Sequence, residues 1–136
     1  MSHPSGLPDL FIDRSLGRIV FSGVLRDAGL RVHDLADIYG MPEDQWVEDV
    51  DWLRFAGERG WAALTQDKRL RHGSAEKRAL IDNQVRLFSM TGHSLEADEV
   101  AQHFLNNLDD ITQACREPGP FVYVVYPDRI ERLKSI

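Results

Sequence analysis

Short apolar runs alternate with helix-like segments along the chain, and this order constrains the fold more than any other feature of the sequence. Strands are predicted at residues 10–12, 30–33, 61–64, 85–88 and 121–126, with a further short strand left open at 130–133. Helices are predicted between them, over about 16–28, 46–58, 75–81 and 95–116. Because such alternation with short connections is typical of an α/β protein, we expect a three-layer fold around a mostly parallel, five-stranded sheet.

Local signals set the ends of several elements. Ser15 is expected to cap the first helix and Gly29 to end it. Residues 34–45 look like a polar loop, in which a short turn of helix is left open. Residues 1–8 are rich in proline and glycine, which predicts a flexible lead-in to a single domain over 1–136.

The composition is that of a globular protein. Hydrophobic residues make up 43% and charged residues 28%, which argues against both a disordered and a membrane-embedded chain. No apolar run is long enough to cross a bilayer, and the N-terminus lacks a basic stretch followed by an apolar one. The single cysteine, Cys115, cannot form an internal disulfide. We therefore expect a cytoplasmic protein with no membrane span.

The charges are unevenly distributed. The net charge of −6 argues against binding nucleic acid through general basicity. However, residues 43–51 hold five acids and no base, whereas residues 67–78 hold five bases and two acids. An acidic and a basic stretch thus lie on either side of one short hydrophobic segment.

Two acids follow predicted strands directly. Asp13 comes after Leu10 to Ile12, and Asp67 comes after the strand that ends near Thr65. Ligands of open parallel sheets bind outside the carboxyl ends of the strands, so both acids are candidate site residues. Simpler roles stay open, because Asp13 could cap a helix and Asp67 could pair with a neighbouring base.

A third acid is expected from the helix that begins at the same edge. Asp49 shares its helix face with Trp52 and Leu53, at offsets of three and four residues, and that face should pack on the sheet. Asp51 shares a more polar face and is kept only as a further candidate ligand. Asp49 is therefore the acid expected to lean over the sheet edge.

Three converging carboxylates repel one another unless a cation neutralises them. Ligation by oxygen alone favours a hard cation, Mg²⁺ or Mn²⁺, and the chemistry that most often needs one is phosphodiester hydrolysis. The five histidines show no zinc-site spacing, and the sequence contains neither a glycine-rich phosphate loop nor a GxSxG motif. The residues therefore favour a metal-dependent hydrolase.

These motifs resemble the PIN-like domain family, in particular its VapC-type toxins. The resemblance rests on the strings LFIDRSLGR, DVDWLRFAGERGWAALTQDKRLR, SAEKRAL and GPFVYVV, and it covers about residues 10–133. It implies a flavodoxin-like sheet, a Mg²⁺ or Mn²⁺ site made of aspartates, endoribonuclease activity and an antitoxin partner. Carried over by position, the catalytic and metal-binding acids are Asp13, Asp49 and Asp67.

The sequence departs from the family pattern at one position. Longer PIN domains place a further acid in a helix between the first two site acids, and the nearest substitutes here are Glu43 and Asp44. A catalytically silent PIN-like module that acts by binding a partner is therefore the alternative. A phosphoacceptor domain of the receiver type is disfavoured, since Asp13 is followed by Arg14 rather than by another acid.

Basic residues and apolar helix positions give expectations about partners. The bases that flank the strand-end acids are expected to contact RNA phosphates: Arg14, Lys68, Arg69 and Arg71. An antitoxin is expected to reach the acids with an Arg or Lys side chain and to dock on the first helix across Phe21 and Leu25. The same apolar surface could instead form a homodimer.

Overall fold

A computed structural model describes residues 2–136 of the chain. Six strands form one sheet: β1 (Leu10–Ile12), β2 (Val32–Asp34), β3 (Ala62–Thr65), β4 (Arg86–Met90), β5 (Phe121–Val125) and β6 (Ile130–Arg132). Six helices connect them: α1 (Val20–Asp27), α2 (Leu35–Tyr39), α3 (Asp49–Arg59), α4 (Ser74–Asp82), α5 (Ala97–Asn106) and α6 (Leu108–Ala114).

The strands lie in the order β2-β1-β3-β4-β5-β6. All neighbours are parallel except β6, which pairs antiparallel with β5. The predicted α/β class and mostly parallel sheet are confirmed, and the short strand left open at 130–133 is the sixth strand.

Each face of the sheet is covered by its own helices, which makes three layers. On one face α1, α5 and α6 bury a cluster that includes Phe21, Phe88 and Phe104. On the other face α3 and α4 bury a second cluster, which includes Phe11 and Trp52. Burial of these large apolar side chains is the main contribution to the stability of both layers.

The register of the central strands determines where the site forms. Strands β1 and β3 are adjacent and parallel, and Ile12 lies opposite Leu64. The Asp13 amide donates to the Leu64 carbonyl at 2.9 Å, which extends the pairing by one residue. The two chain segments that follow β1 and β3 therefore leave the sheet side by side at its carboxyl edge.

Several predicted boundaries are wrong, each for a local reason. The first helix begins at Val20 rather than 16, because a 3-10 turn over Arg14–Leu16 ends at Gly17 with φ of 78°. Ser15 lies within this turn and is therefore not the cap of the first helix. The next helix begins only at Asp49, because Trp46 belongs to another 3-10 turn and is 69% exposed.

The short helical turn left open in the polar loop at 34–45 is helix α2, which Asp34 and Asp37 stabilise as a reciprocal capping box. The predicted helix over 95–116 is two helices, separated at Asn107. The Asn107 amide group donates to the carbonyls of His103 and Tyr126, both at 2.8 Å, and so ties the break to the end of β5.

The lead-in and the first helix also differ from expectation. Leu7 is only 4% exposed, and the His3 ring is within hydrogen-bonding distance of the Leu7 carbonyl at 2.7 Å, so this segment packs on the domain instead of extending freely. Phe21 and Leu25 are fully buried against the core and cannot form a docking surface.

No helix among residues 2–136 is long and apolar enough to span a membrane.

Candidate active site

An open cavity of about 600 Å³ lies at the carboxyl edge of the sheet, and the three aspartates predicted from the sequence line it together. Besides the three aspartates, its polar lining residues are two further acids, Glu48 and Glu76, two arginines, Arg14 and Arg69, and Ser15. The segments that follow β1 and β3 supply five of these eight residues, and the starts of α3 and α4 supply the other three. The topology alone therefore gathers acids that are far apart in the sequence.

Asp13 is the most buried of these acids, with 3% of its surface exposed. The hydroxyls of Ser15 and Thr65 both donate to its Oδ2 oxygen, each at 2.8 Å. Burial raises the pKa of Asp13 above its ordinary value, the two hydroxyl bonds lower it in part, and the charge of Asp49 raises it again. The Asp13 side chain caps no helix by hydrogen bond.

Thr65 joins the two strand-end acids. Its fully buried hydroxyl donates to Asp13 and accepts a hydrogen bond from the Asp67 amide at 3.0 Å. Ser15 has a similar bridging position, because its hydroxyl also accepts from the Gln66 amide at 2.9 Å. The sequence marks Thr65 only as the predicted end of β3, and its spacing of two residues from Asp67 is the signal that could have indicated this role.

Asp49 is held by the core beneath it. It is the first residue of α3, and its Oδ1 accepts a hydrogen bond from the Trp52 indole at 3.0 Å. Trp52 is fully buried and stacks on Phe11, with ring centroids 5.3 Å apart. Asp51, the further candidate ligand, lies outside the cavity lining, and its carboxylate is 3.9 Å from Arg54.

Asp67 is engaged by Arg69, two residues further on. Oδ1 accepts from the Arg69 amide at 2.9 Å and from Nε at 3.0 Å, and Oδ2 accepts from a terminal guanidinium nitrogen at 2.7 Å. The Arg69 side-chain hydrogen bond is the main reason that the pKa of Asp67 lies below its ordinary value. The simpler role expected for Asp67, pairing with a neighbouring base, is therefore present in this structure.

The four bases expected to contact phosphate have different positions. Arg14 donates to the carbonyls of Asp44, Gln45 and Val47 at 2.7–3.2 Å, which ties the segment before α3 to the end of β1. This is a structural task, although Arg14 also lines the cavity. Arg69 lines it as well, whereas Lys68 and Arg71 lie in the same 3-10 turn outside the lining.

A further acid of the cavity was missed. Glu76 lies in the first turn of α4, next to Gly73, where any Cβ atom would collide with the Glu76 carboxylate. The predicted substitutes, Glu43 and Asp44, lie in the 3-10 turn before α3 and do not line this cavity. The spacing expected from the first aspartate points to residues before α3, whereas Glu76 reaches the cavity because α4 begins at the same sheet edge later in the chain.

The donor set suits a hard cation, since carboxylate and hydroxyl oxygens surround the cavity and neither histidine nor cysteine lines it. As they stand, however, no three His, Cys, Asp or Glu side chains among residues 2–136 are arranged to hold one ion. The Asp67 carboxylate is occupied by Arg69 and one Asp49 oxygen by Trp52. The residues therefore fit a divalent cation by chemistry, and binding requires these side chains to adjust.

Comparisons with known proteins identify the family. The family described as "PIN like domain" matches residues 8–92, a range that contains all three aspartates. A protein of Mycobacterium tuberculosis (strain ATCC 25618 / H37Rv), named "Putative ribonuclease VapC45", is 36% identical over 127 residues, or 93% of this chain and 92% of the relative. No solved structure matches the chain significantly.

The chain therefore belongs to the PIN-like domain family. Its similarity to VapC45 over nearly the whole length of both proteins assigns it to the VapC type within that family.

Proposed function

We propose that the protein is a Mg²⁺- or Mn²⁺-dependent endoribonuclease and the toxin of a VapBC-like toxin–antitoxin pair. The observation that carries this proposal is the cavity at the carboxyl edge of the sheet, lined by Asp13, Asp49 and Asp67. The name of the M. tuberculosis relative, which calls that protein a ribonuclease, supports the reaction class. RNA and the antitoxin are the proposed partners, and the cytoplasm is the proposed location.

The roles of the residues follow from their contacts. A divalent cation, when bound, would make a water molecule more acidic and stabilise negative charge on the phosphate. Asp13 would be the fixed ligand, because two hydroxyls orient its buried carboxylate. Asp49 would be the second ligand, positioned by the Trp52 indole, and Asp67 the third.

The basic residues after β3 would position the substrate. Lys68 and Arg69 are exposed and Arg71 is half-buried, all within one turn that begins at Asp67. Contacts from such side chains to phosphate oxygens would fix the RNA without reading its sequence. Glu76, which also lines the cavity, would limit how closely a second phosphate approaches, since like charges repel.

Cleavage of a labelled single-stranded RNA of mixed sequence tests the activity. We expect cleavage with Mg²⁺ or Mn²⁺ and none with EDTA, and we expect Asp13→Asn to lower the rate by about 100-fold or more because a metal ligand is lost. The matched control is Asp109→Asn, which removes the same charge from an exposed position in α6. Equal rates for Asp13→Asn and the control would refute the proposed catalytic site.

A catalytically silent binding module is the second candidate. It is favoured by the engagement of Asp67 with Arg69 and by the lack of a preformed three-ligand group in the described residues. Thermal unfolding with and without Mn²⁺ separates the two candidates. A nuclease should be stabilised by the ion, whereas a silent module that binds no metal should unfold at the same temperature in both conditions.

The antitoxin is proposed to dock near the start of α1. Ile19 is 71% exposed and Val20 51%, and they lie a few residues after the cavity residues Asp13 and Arg14. A partner covering them could extend an Arg or Lys side chain to the acids. We expect the pair Ile19→Glu and Val20→Glu to weaken assembly with the co-expressed antitoxin, whereas Ile81→Glu on α4 should not. Full assembly of the double variant would exclude this surface.

A further inference from the structure

Arg69 is the one residue of the cavity whose charge is already paired with a proposed metal ligand. Its guanidinium forms a two-pronged contact with Asp67, through Nε at 3.0 and 3.1 Å and through a terminal nitrogen at 2.7 Å. The Arg69 amide adds a third donor to the same carboxylate at 2.9 Å. Both oxygens of Asp67 are thus engaged by N–H donors, which leaves neither fully available to a cation.

The rest of the cavity also acts on Arg69. Asp13 and Asp49 line the same cavity as Arg69 and its partner Asp67. One guanidinium therefore feels the field of all three aspartates at once. Without the Arg69 guanidinium, these carboxylates would repel one another with no positive charge paired to them in the cavity. Arg14 also lines the cavity, but its guanidinium donates to backbone carbonyls.

The Arg69 side chain can leave this position without disturbing the core. It is 84% exposed, whereas the Asp67 side chain is only 18% exposed. An exposed ion pair is a weak interaction, although a two-pronged geometry strengthens it. A divalent cation carries twice the charge and can approach several carboxylates together, so it can compete successfully for Asp67.

We propose that Arg69 is the internal counter-ion of this site: its guanidinium holds Asp67 while no divalent cation is bound, and it turns to an RNA phosphate when the cation takes Asp67. This inference rests on the proposed function, because it needs the aspartates to bind a cation. It assigns Arg69 two successive partners of the same chemical kind, a carboxylate and then a phosphate oxygen, both of which match the planar fork of a guanidinium.

The proposal predicts effects of opposite sign for one substitution. In Arg69→Gln, Mn²⁺ should bind about three- to tenfold more tightly in the absence of RNA, because the competing guanidinium is gone. At saturating Mn²⁺, the same variant should bind RNA more weakly and with a shallower salt dependence, because a phosphate contact is lost. A residue that only stabilises the local fold would weaken both interactions together.

Mn²⁺ affinity is measured by electron paramagnetic resonance of the free ion. RNA affinity is measured by fluorescence anisotropy with a labelled 2′-O-methyl phosphorothioate oligoribonucleotide of mixed sequence. Arg78→Gln is the matched control, since it removes the same charge from an exposed position on α4. Arg69→Lys keeps the charge but not the fork, and its Mn²⁺ affinity should lie between those of wild type and Arg69→Gln.

Each outcome decides a definite point. Tighter Mn²⁺ binding together with weaker RNA binding in Arg69→Gln, and neither in Arg78→Gln, supports the counter-ion role. If wild type binds Mn²⁺ and Arg69→Gln binds it equally well or less well, the inference is overturned and the proposed metal site stands. If neither protein binds Mn²⁺, both the metal site and the inference fail.

Discussion

Thr65→Val tests whether one buried hydroxyl holds the two strand-end acids in place. Valine has nearly the shape of threonine, so the substitution removes the hydroxyl with little change in packing. It removes a donor at 2.8 Å from the Asp13 carboxylate and the acceptor of the Asp67 amide at 3.0 Å. The variant should therefore affect the site through hydrogen bonding alone.

The expected loss of stability can be worked from these contacts. A hydrogen bond to a charged group contributes about 1.5–3 kcal/mol, and an amide left without its acceptor costs about 1 kcal/mol. Burying a methyl group in place of the hydroxyl returns about 0.8 kcal/mol. The net loss is about 2–3 kcal/mol, which for a domain of this size corresponds to a fall in Tm of about 7–10 °C.

The assay is thermal and urea unfolding at neutral pH, followed by circular dichroism. Thr112→Val is the matched control, because the Thr112 hydroxyl donates only to the Leu108 carbonyl of its own helix, at 2.8 Å. The loss in Thr65→Val should shrink in acid, where a protonated Asp13 depends less on the donor. If Thr65→Val is as stable as the control at neutral pH, the hydroxyl does not organise these acids.

Three further outcomes are expected. Burial raises the pKa of Asp13 in the folded state, so ionisation of this carboxyl at neutral pH destabilises the fold. In the absence of metal, Asp13→Asn should therefore be as stable as wild type or more stable at pH 7. This gain should disappear in a pH series as the pH falls below 3.8, the ordinary pKa of an aspartate, because Asp13 is then protonated in both states. In a urea titration, Gly57→Ala should lower the free energy of unfolding by about 1–3 kcal/mol, since a Cβ there would collide with the Asn83 carbonyl. Gly23→Ala in α1 is the control, because its Cβ would meet open space and the variant should be neutral or stabilising. Trp52→Phe removes the indole N–H that donates to Asp49, so we expect the Mn²⁺ affinity measured by calorimetry to change. An unchanged affinity would show that this hydrogen bond does not position Asp49.

The order of the elements could be predicted from the sequence because it depends on strong, local patterns. Apolar runs such as 62–64 and 121–125 are buried strands, and the helices between them carry clear apolar stripes. The same patterns place acids after strands, which is why Asp13 and Asp67 were singled out. Asp49 followed from helical geometry, since Trp52 and Leu53 on its face pack on the sheet.

Features set by tertiary contacts could not be read in this way. The break at Asn107 depends on a hydrogen bond to Tyr126, nineteen residues away, and no periodicity records it. Glu76 reaches the cavity only because α4 begins at the same sheet edge as the acids. The burial of Phe21 and Leu25 depends on where α5 packs, so the sequence could show an apolar stripe on the first helix without showing which side is covered.

The location of the metal is the central claim, and anomalous scattering from crystals soaked in Mn²⁺ tests it most directly. We expect an anomalous peak inside the cavity within bonding distance of Asp13, Asp49 and Asp67, with the Arg69 guanidinium turned away from Asp67. In crystals of Asp13→Asn grown and soaked alike, the peak should be weak or missing. A strong peak elsewhere, or the same peak undiminished in Asp13→Asn, would contradict the assignment of these aspartates as the metal site.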